Sequence, residues 1–233
     1  MSDHLEQKSA ALSRTVLFGT LAAQPLRSLA LSAEWRVMPS GGTIFRKGDP
    51  GDLLFVIHRG RVKIGYGSSD GREVVLNLLG PPAVFGEVAV ADGGVRTADA
   101  TAVEVTELVS IGRRELFPFL RENPEAALQM MIALSSQVRW IAESFDDRLF
   151  LDLAPRLAKR LVFLGTHFGQ HTDNGLRLGL SLPHRELAAH MNVTRESVNR
   201  LLQKWRKDGL IEERRGVMFL KSLAALQKIA LKS

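Results

Sequence analysis

The sequence predicts an α+β chain in three parts: an N-terminal β-rich module, one long helix, and a C-terminal helix-turn-helix with a wing. Three observations carry this. Between residues 35 and 112, short β-branched runs alternate with Gly, Pro and Asp, the rhythm of small strands closed into a sandwich or barrel. From Pro124 onward, Met131, Leu134, Val138, Ile141, Phe145 and Leu149 recur at steps of three and four, a narrow helical seam. Near the C-terminus, Ala188 is followed four positions later by Asn192 and ten later by Val198, the pattern of two helices that meet at a tight turn.

Taken in order, residues 1–34 read as amphipathic helix, with Leu12, Val16, Leu26, Leu29 and Ala30 as its apolar contacts. The punctuation that follows includes Gly41-Gly42, Gly48 to Asp52, Gly80-Pro81-Pro82 and Asp92-Gly93-Gly94, with Leu53–His58, Val62–Tyr66 and Glu73–Leu78 as strands between such signals. Helices do not alternate with strands and no G-x-G-x-x-G opens one, which argues against a dinucleotide-binding fold. The seam helix runs from Pro124 to about Asp152. A seam so long and narrow suits a helix packed on a copy of itself; one helix lying on the β-module has the same seam. Met130 and Trp140 beside it are packing residues. A second helix runs from about Leu153 to Phe168, with Pro155 tolerated in its first turn. Gly169 to Gly179 is polar and turn-rich and reads as a linker. His167 and His171 fall in or beside it and lack a third ligand, so no metal site is expected. The domains expected are residues 1–123, 124–152 and 153–233.

Composition narrows the function classes. Cysteine is absent from the 233 residues, which excludes disulfides, thiolate metal sites and cysteine-held iron–sulfur clusters. No apolar run approaches the length of a membrane span, and the N-terminus has no leader pattern, so a cytoplasmic protein with no membrane role is expected. No Gly-x-Ser-x-Gly, His-Glu-x-x-His or phosphate-loop signature argues for an enzyme. The net charge is +6, and its location matters more than its size. From Ser181 to Ser233, eleven Lys/Arg stand against five Asp/Glu, whereas the rest of the chain carries twenty of each. A basic end module on a neutral body is what binding to a phosphate backbone needs; a solvated basic surface has the same composition.

The segment from Pro183 to Asp208 supplies the reader. Pro183 can open the first helix, Ala188 permits close approach, and Asn192 tolerates the positive φ of the turn. Thr194 is a good N-cap for the second helix, whose buried face is Val198, Leu201 and Leu202. Its other face exposes Arg195, Glu196, Asn199 and Arg200. Arg donates twice to guanine O6 and N7, and Glu accepts from cytosine N4. Lys204, Arg206 and Lys207 carry the positive charge on toward the backbone. Leu210-Ile211, Arg214-Arg215-Gly216 and Val217–Leu220 read as a β-hairpin wing, with Arg214 and Arg215 as phosphate contacts. Double-stranded DNA is the partner this implies.

A second motif is Phe85-Gly86-Glu87-Val88-Ala89-Val90, then Gly93-Gly94-Val95-Arg96-Thr97-Ala98. A cyclic phosphate needs a cation, which Arg96 supplies through its fork. It also needs accessible backbone N–H groups and a hydroxyl donor, here Thr97. Glu87 can accept from a ribose 2′-hydroxyl, and Gly86 lets the chain pass close to a ligand. A structural Glu87–Arg96 ion pair is the bland alternative.

The segment Thr194-Arg195-Glu196-Ser197-Val198-Asn199-Arg200, followed by Leu201-Leu202 and Asp208-Gly209-Leu210-Ile211, resembles the recognition segment of the CRP/FNR transcription regulators. The resemblance covers nearly the whole chain in the right order, and implies an N-terminal cyclic-nucleotide-binding β-roll, a dimerisation helix and a winged helix-turn-helix. It implies a homodimer on a TGTGA-like palindrome, read through Arg195, Glu196 and Arg200, with Thr194, Asn199 and Lys204 also at the DNA. RNA polymerase enters as a partner by the same resemblance. The Gly86–Thr97 stretch is similar to the family's phosphate-binding cassette, so Gly86, Glu87, Val88, Arg96 and Thr97 would hold cyclic AMP or cyclic GMP as an allosteric ligand. Thr97 beside the phosphate-binding Arg is associated with cyclic GMP in eukaryotic relatives. Cyclic-AMP-binding members place a Thr-Ser pair of the dimer helix against the adenine. Here that helix is about one turn shorter; Ile141-Ala142 or Phe145-Asp146 stand at those positions, and Glu143 and Ser144 are the nearest polar residues. The rival expectations are a regulator of the same fold that needs no nucleotide or senses haem-bound gas, with His58 as a candidate ligand, and a nucleotide-binding signalling subunit with no DNA role.

Overall fold

The computed structural model describes residues 2–67, 73–181, 184–191, 193–214 and 216–231. Pro183, Asn192 and Arg215, and the side chains of Trp140, Glu143, Ser144, Phe145, Asp146, Leu149 and His167, lie outside the described residues. The chain forms two compact units. The first holds residues up to Gly67 and Val75–Trp140, and the second runs from Ile141 onward.

In the first unit, helices α1 (Ser2–Ser13) and α2 (Ala23–Ser32) precede β1 (Glu34–Met38), β2 (Thr43–Phe45), β3 (Leu53–Arg59), β4 (Val62–Gly67), β5 (Glu73–Leu79) and β6 (Val84–Phe85). A short helix α3 (Glu87–Asp92), strands β7 (Asp99–Ala102) and β8 (Thr106–Gly112), helix α4 (Arg113–Glu122) and the long α5 (Pro124–Phe150) complete it. The strands order as β1-β8-β3-β6 and β2-β7-β4-β5. Strand β3 explains why its sequence is an unbroken apolar run. Side chains alternate across a strand: Leu54 and Val56 enter a core made with Leu12, Phe18, Leu29 and Phe119 of the helices. Phe55 and Ile57 point the other way, into a core with Phe85, Val62 and Ala100. A strand buried on both faces has no polar alternation to show.

Three expectations change here. Residues 1–34 are helical but interrupted at 14–22, where the Thr15 hydroxyl donates to Leu12 O and accepts from Phe18 N, local bonds that compete with a continuing helix. Val16 in that break is 70% exposed, not a core contact. The seam of α5 also divides. Met130 is buried and Leu134 packs against the same helix-side core, whereas Met131, Val138 and Ile141 are exposed.

The second unit begins within α5 and continues with α6 (Leu153–Phe168), β9 (Gly169–Thr172), β10 (Gly175–Ser181), α7 (His184–Met191), α8 (Arg195–Lys207), β11 (Ile211–Arg214), β12 (Val217–Leu220) and α9 (Leu223–Ala230). The expected linker is therefore a hairpin. Asp173 and Asn174 turn between Thr172 and Gly175, which pair, and Leu176 and Leu178 alternate into the core. His171 sits exposed on β9. The strands order as β11-β12-β10-β9. Gly165 brings α6 close to this sheet: a Cβ there would stand 2.8 Å from Leu176 and Leu220 side-chain carbons.

Helix α8 ends at a glycine stop. Gly209 takes φ 69°; its N–H donates to Arg206 O, and the Leu210 N–H donates to Trp205 O, the two bonds of a Schellman closure. Nothing lies within 4 Å of a Cβ built at Gly209. The Gly209→Ala variant should therefore lose about 1–2 kcal/mol through backbone conformation alone, read as a lower denaturant midpoint with an unchanged m value.

Candidate ligand site and nucleic-acid interface

Strand β6 delivers the chain to Gly86, which caps α3 at φ 83°. A side chain at Gly86 would collide with Arg96 Nη1 at 2.7 Å and Leu53 O at 3.0 Å. Glycine is thus required by both conformation and space. Arg96 is only 3% exposed. Its Nη1 donates to Gly86 O at 3.0 Å and its Nη2 to Leu53 O at 2.8 Å. The guanidinium carbon stands 4.2 Å from the Phe45 ring centre and 5.6 Å from that of Phe55. Phe55 stacks on Phe85 at 5.2 Å. Burial pulls the Arg96 pKa down, and the charges of Asp52, Glu87 and Asp49 pull it back up.

The expected fork of Arg96 is thus partly engaged inside the protein. Two of the five guanidinium N–H groups serve carbonyls, while Nε is buried with no partner. Glu87 lies beside it at the start of α3. Burial pushes its carboxyl above the usual range, against the lowering effects of its own amide, the Arg96 charge and a hydrogen bond from Gln137 of α5. Val88 is half-buried and Thr97 is exposed. The loops around them are held by backbone bonds: Gly48 N–H to Arg96 O, and Arg96 N–H to Asp49 O. Four of the five expected residues are thus placed by the contacts or backbone of one cradle, and Thr97 follows directly in the chain. Gln137, Asp49, Asp52, Phe45 and Phe55 were not anticipated. They lie 30 or more residues from Glu87 or Arg96 in sequence, so only the tertiary fold brings them in.

In the second unit, the Thr194 hydroxyl accepts from Ser197 N–H at 3.2 Å, the N-cap that its residue type predicts. Val198, Leu202 and Trp205 form the buried face of α8, with Leu201 half-buried. Arg195, Glu196, Arg200 and Lys204 are exposed. Asn199 is a correction. It is half-buried rather than presented to solvent, because its Oδ1 meets Nδ1 of His184 on α7. Arg206 donates to Glu213 of β11 at 2.9 Å, and Arg214 on the wing pairs with Glu212. Arg156 of α6 donates to Met191 O at the end of α7, at 3.2 Å. Among the described residues no cluster of His, Asp and Glu could hold a metal ion, and no helix is long and apolar enough to cross a membrane. His58 packs on Trp35 with ring centres 4.8 Å apart.

Two family models match this architecture. Residues 35–123 match the cyclic nucleotide-binding domain, and residues 155–229 match the Crp-like helix-turn-helix domain. The chain is 33% identical over 200 residues to a CRP-like cAMP-activated global transcriptional regulator of Mycobacterium tuberculosis, covering 86% of this chain and 89% of that protein. It is 33% identical over 215 residues to the cyclic AMP receptor protein of Thermus thermophilus, covering 92% and 96%. The crystal structure of a CRP-family transcriptional regulator from Thermus thermophilus superposes with a TM-score of 0.71 at 25% identity, over 85% of this chain and 97% of that one. With a nucleotide-binding β-domain ahead of a helix-turn-helix, and relatives of this similarity along most of its length, the chain belongs to the CRP/FNR family of transcription regulators.

Proposed function

We propose that the chain is a homodimeric transcription regulator gated by a cyclic nucleotide, and that it reads a TGTGA-like palindrome through Arg195, Glu196 and Arg200. The observation that carries the nucleotide is Arg96, a buried cation whose Nε has no partner, beside Glu87 and the exposed Thr97. Arg96 would take the cyclic phosphate, Thr97 would donate to it, and Glu87 would accept from the ribose. Gly86 and Val88 would give the ligand a close backbone. The phosphate would give the unpartnered Nε–H an acceptor and add to the counter-charge of Asp52, Glu87 and Asp49.

The DNA reading rests on exposed Arg195, Glu196, Arg200 and Lys204 beyond a capped helix start. Two such helices about 34 Å apart meet successive major grooves. The exposed apolar residues Leu128, Met131, Val138 and Ile141 on α5 favour self-association, because a row of that kind left in water is unfavourable. RNA polymerase and a cytoplasmic setting come with the family reading. A nucleotide must bind the DNA-competent state more tightly to gate it, and a coupling of about 1–3 kcal/mol is ordinary. One observation favours a nucleotide-independent regulator: Arg96 already donates to two carbonyls. Calorimetric titration with cyclic AMP and cyclic GMP, before and after adding the palindrome, separates the two; heat from neither nucleotide would leave the independent regulator.

Three variants sharpen the reading. Arg96→Ala should abolish nucleotide binding while DNA is still bound non-specifically; unchanged nucleotide affinity would sink the cassette assignment. Arg195→Ala should cost about 1–3 kcal/mol and relax preference at one base pair, whereas equal weakening on every duplex would mark a phosphate contact. Glu87→Gln should weaken nucleotide binding yet raise the melting temperature of the free protein. Because the folded pKa of Glu87 is raised, its ionised form opposes folding. That cost is full above the folded pKa and vanishes as pH falls below the ordinary carboxylate value. The stabilisation by Gln should therefore be present at pH 7 and disappear on acidification, checked by melting curves across pH.

A further inference from the structure

The ring of His184 stands between three elements of the second unit. Its Nδ1 meets Asn199 Oδ1 on α8. Its Nε2 lies 3.3 Å from Glu213 Oε2 on β11, buried and without the alignment of a hydrogen bond. Both ring nitrogens therefore face oxygen acceptors. A neutral imidazole carries one N–H and can serve only one of them; its other lone pair would then oppose an oxygen lone pair. The imidazolium has a donor for each.

We infer that His184 is the positioning residue of the DNA-reading module: its imidazolium clamps α8 and the wing strand to α7, so that selective DNA binding strengthens as pH falls. The inference rests on the DNA-binding reading above. The charged groups facing the ring among the described residues are Glu213 from β11 and Arg206 from α8, which shares the same carboxylate oxygen at 2.9 Å. From α6, Arg156 donates to Met191 O at the far end of α7. Arg206 alone leaves Glu213 with room for a second donor, since a carboxylate accepts several bonds.

Val198 and Leu202 seat α8 by apolar contact, which resists separation but is not directional. A hydrogen bond at Asn199 sets rotation about the helix axis. It lies on the turn between Arg195 and Arg200, so a rotation there moves both guanidinium groups relative to a base edge. The same ring stands 3.3 Å from the Glu213 carboxylate, so when charged it couples that rotation to the wing as an ion pair. Histidine is the side chain that most readily gains a proton near neutral pH, so the clamp strengthens as pH falls.

The test uses the full chain, a fixed ionic strength and two duplexes, a TGTGA-type palindrome and its scrambled version. Added charge strengthens binding to any duplex, so the readout is the ratio of palindrome to scrambled affinity. From pH 8 to pH 6 that ratio should rise roughly 2- to 12-fold, the equivalent of one modest hydrogen bond. His184→Gln, which keeps a donor but does not titrate, should retain binding with a flat ratio. A His184→Gln protein with the wild-type slope would overturn the inference. A second arm needs no DNA: in 15N spectra of the labelled chain, the His184 resonances, assigned by their loss in His184→Gln, should show both nitrogens protonated at pH 6 and one at pH 8. A ring that stays neutral across the range, as an Asn199 amide turned to donate to Nδ1 would permit, refutes the clamp. Failure of the wild-type protein to prefer the palindrome at any pH counts against the DNA reading itself, and the spectra still decide the histidine.

Discussion

A guanidinium taken out of water must find acceptors inside the protein, and in the first unit the position of Arg96 is organised around that need. Backbone carbonyls of Leu53 and Gly86 take two of its N–H groups, and aromatic faces of Phe45 and Phe55 lie against its plane. These partners come from strand β3, the cap of α3 and strand β2. The Arg96 backbone is itself tied to the 48–49 turn. Removing the charge would leave carbonyls without donors in an apolar setting, which costs more than the bonds themselves contribute. The cradle is thus part of the fold as well as the proposed place for a ligand. An anion arriving at Arg96 meets donors already aimed by the strands, so little ordering is left to be done on binding.

The second unit solves a different problem. Its reading helix is short and strongly polar on one side, so its ends need fixing as much as its buried face. Thr194 closes the N-terminus and the Gly209 turn closes the C-terminus. The preceding helix α7 is anchored at its last residue by Arg156. Each device satisfies backbone groups that a helix end leaves open. Together with Val198, Leu202 and Trp205 beneath, they fix where Arg195 and Arg200 stand. That fixity is what the proposed reading of base edges by these two residues requires.

Much of this was legible in the sequence, and the limits follow from range. The cap at Thr194, the apolar positions Val198 and Leu202, the wing and the strands β3 to β5 are all local patterns of period or turn chemistry. The hairpin at 169–181 was hidden because its turn and first strand are polar, and the alternation of Leu176, Leu178 and Leu180 is confined to the second strand. The seam of α5 reads as one stripe in sequence, yet Leu134 packs inward while Met131 and Val138 do not. A narrow seam is compatible with two partners at once, and sequence period alone does not divide it. The half-burial of Asn199 and the internal bonds of Arg96 share a cause. Residue type told what each could bind, but competing partners at His184, Leu53 and Gly86 are brought in by tertiary pairing.

The same competition bears on the charge excess at the C-terminus. Its cations are not equivalent. Arg206 is held by Glu213, while Arg214 and Lys221 flank Glu212 and keep its carboxyl below the usual range. Arg195, Arg200 and Lys204 have no ion pair among the described residues. The acidic residues of the wing therefore engage the wing's own cations and Arg206 near the end of α8, and leave Arg195, Arg200 and Lys204 unopposed among the described residues. Exposed pairs of the first kind are individually weak, so a phosphate can displace them. Even so, each displacement would return part of what it gains, whereas an unpaired Arg on α8 would give its full interaction to DNA. Under the proposed reading, affinity drawn from the wing is discounted relative to affinity drawn from α8, which would bias binding toward contacts that carry sequence information.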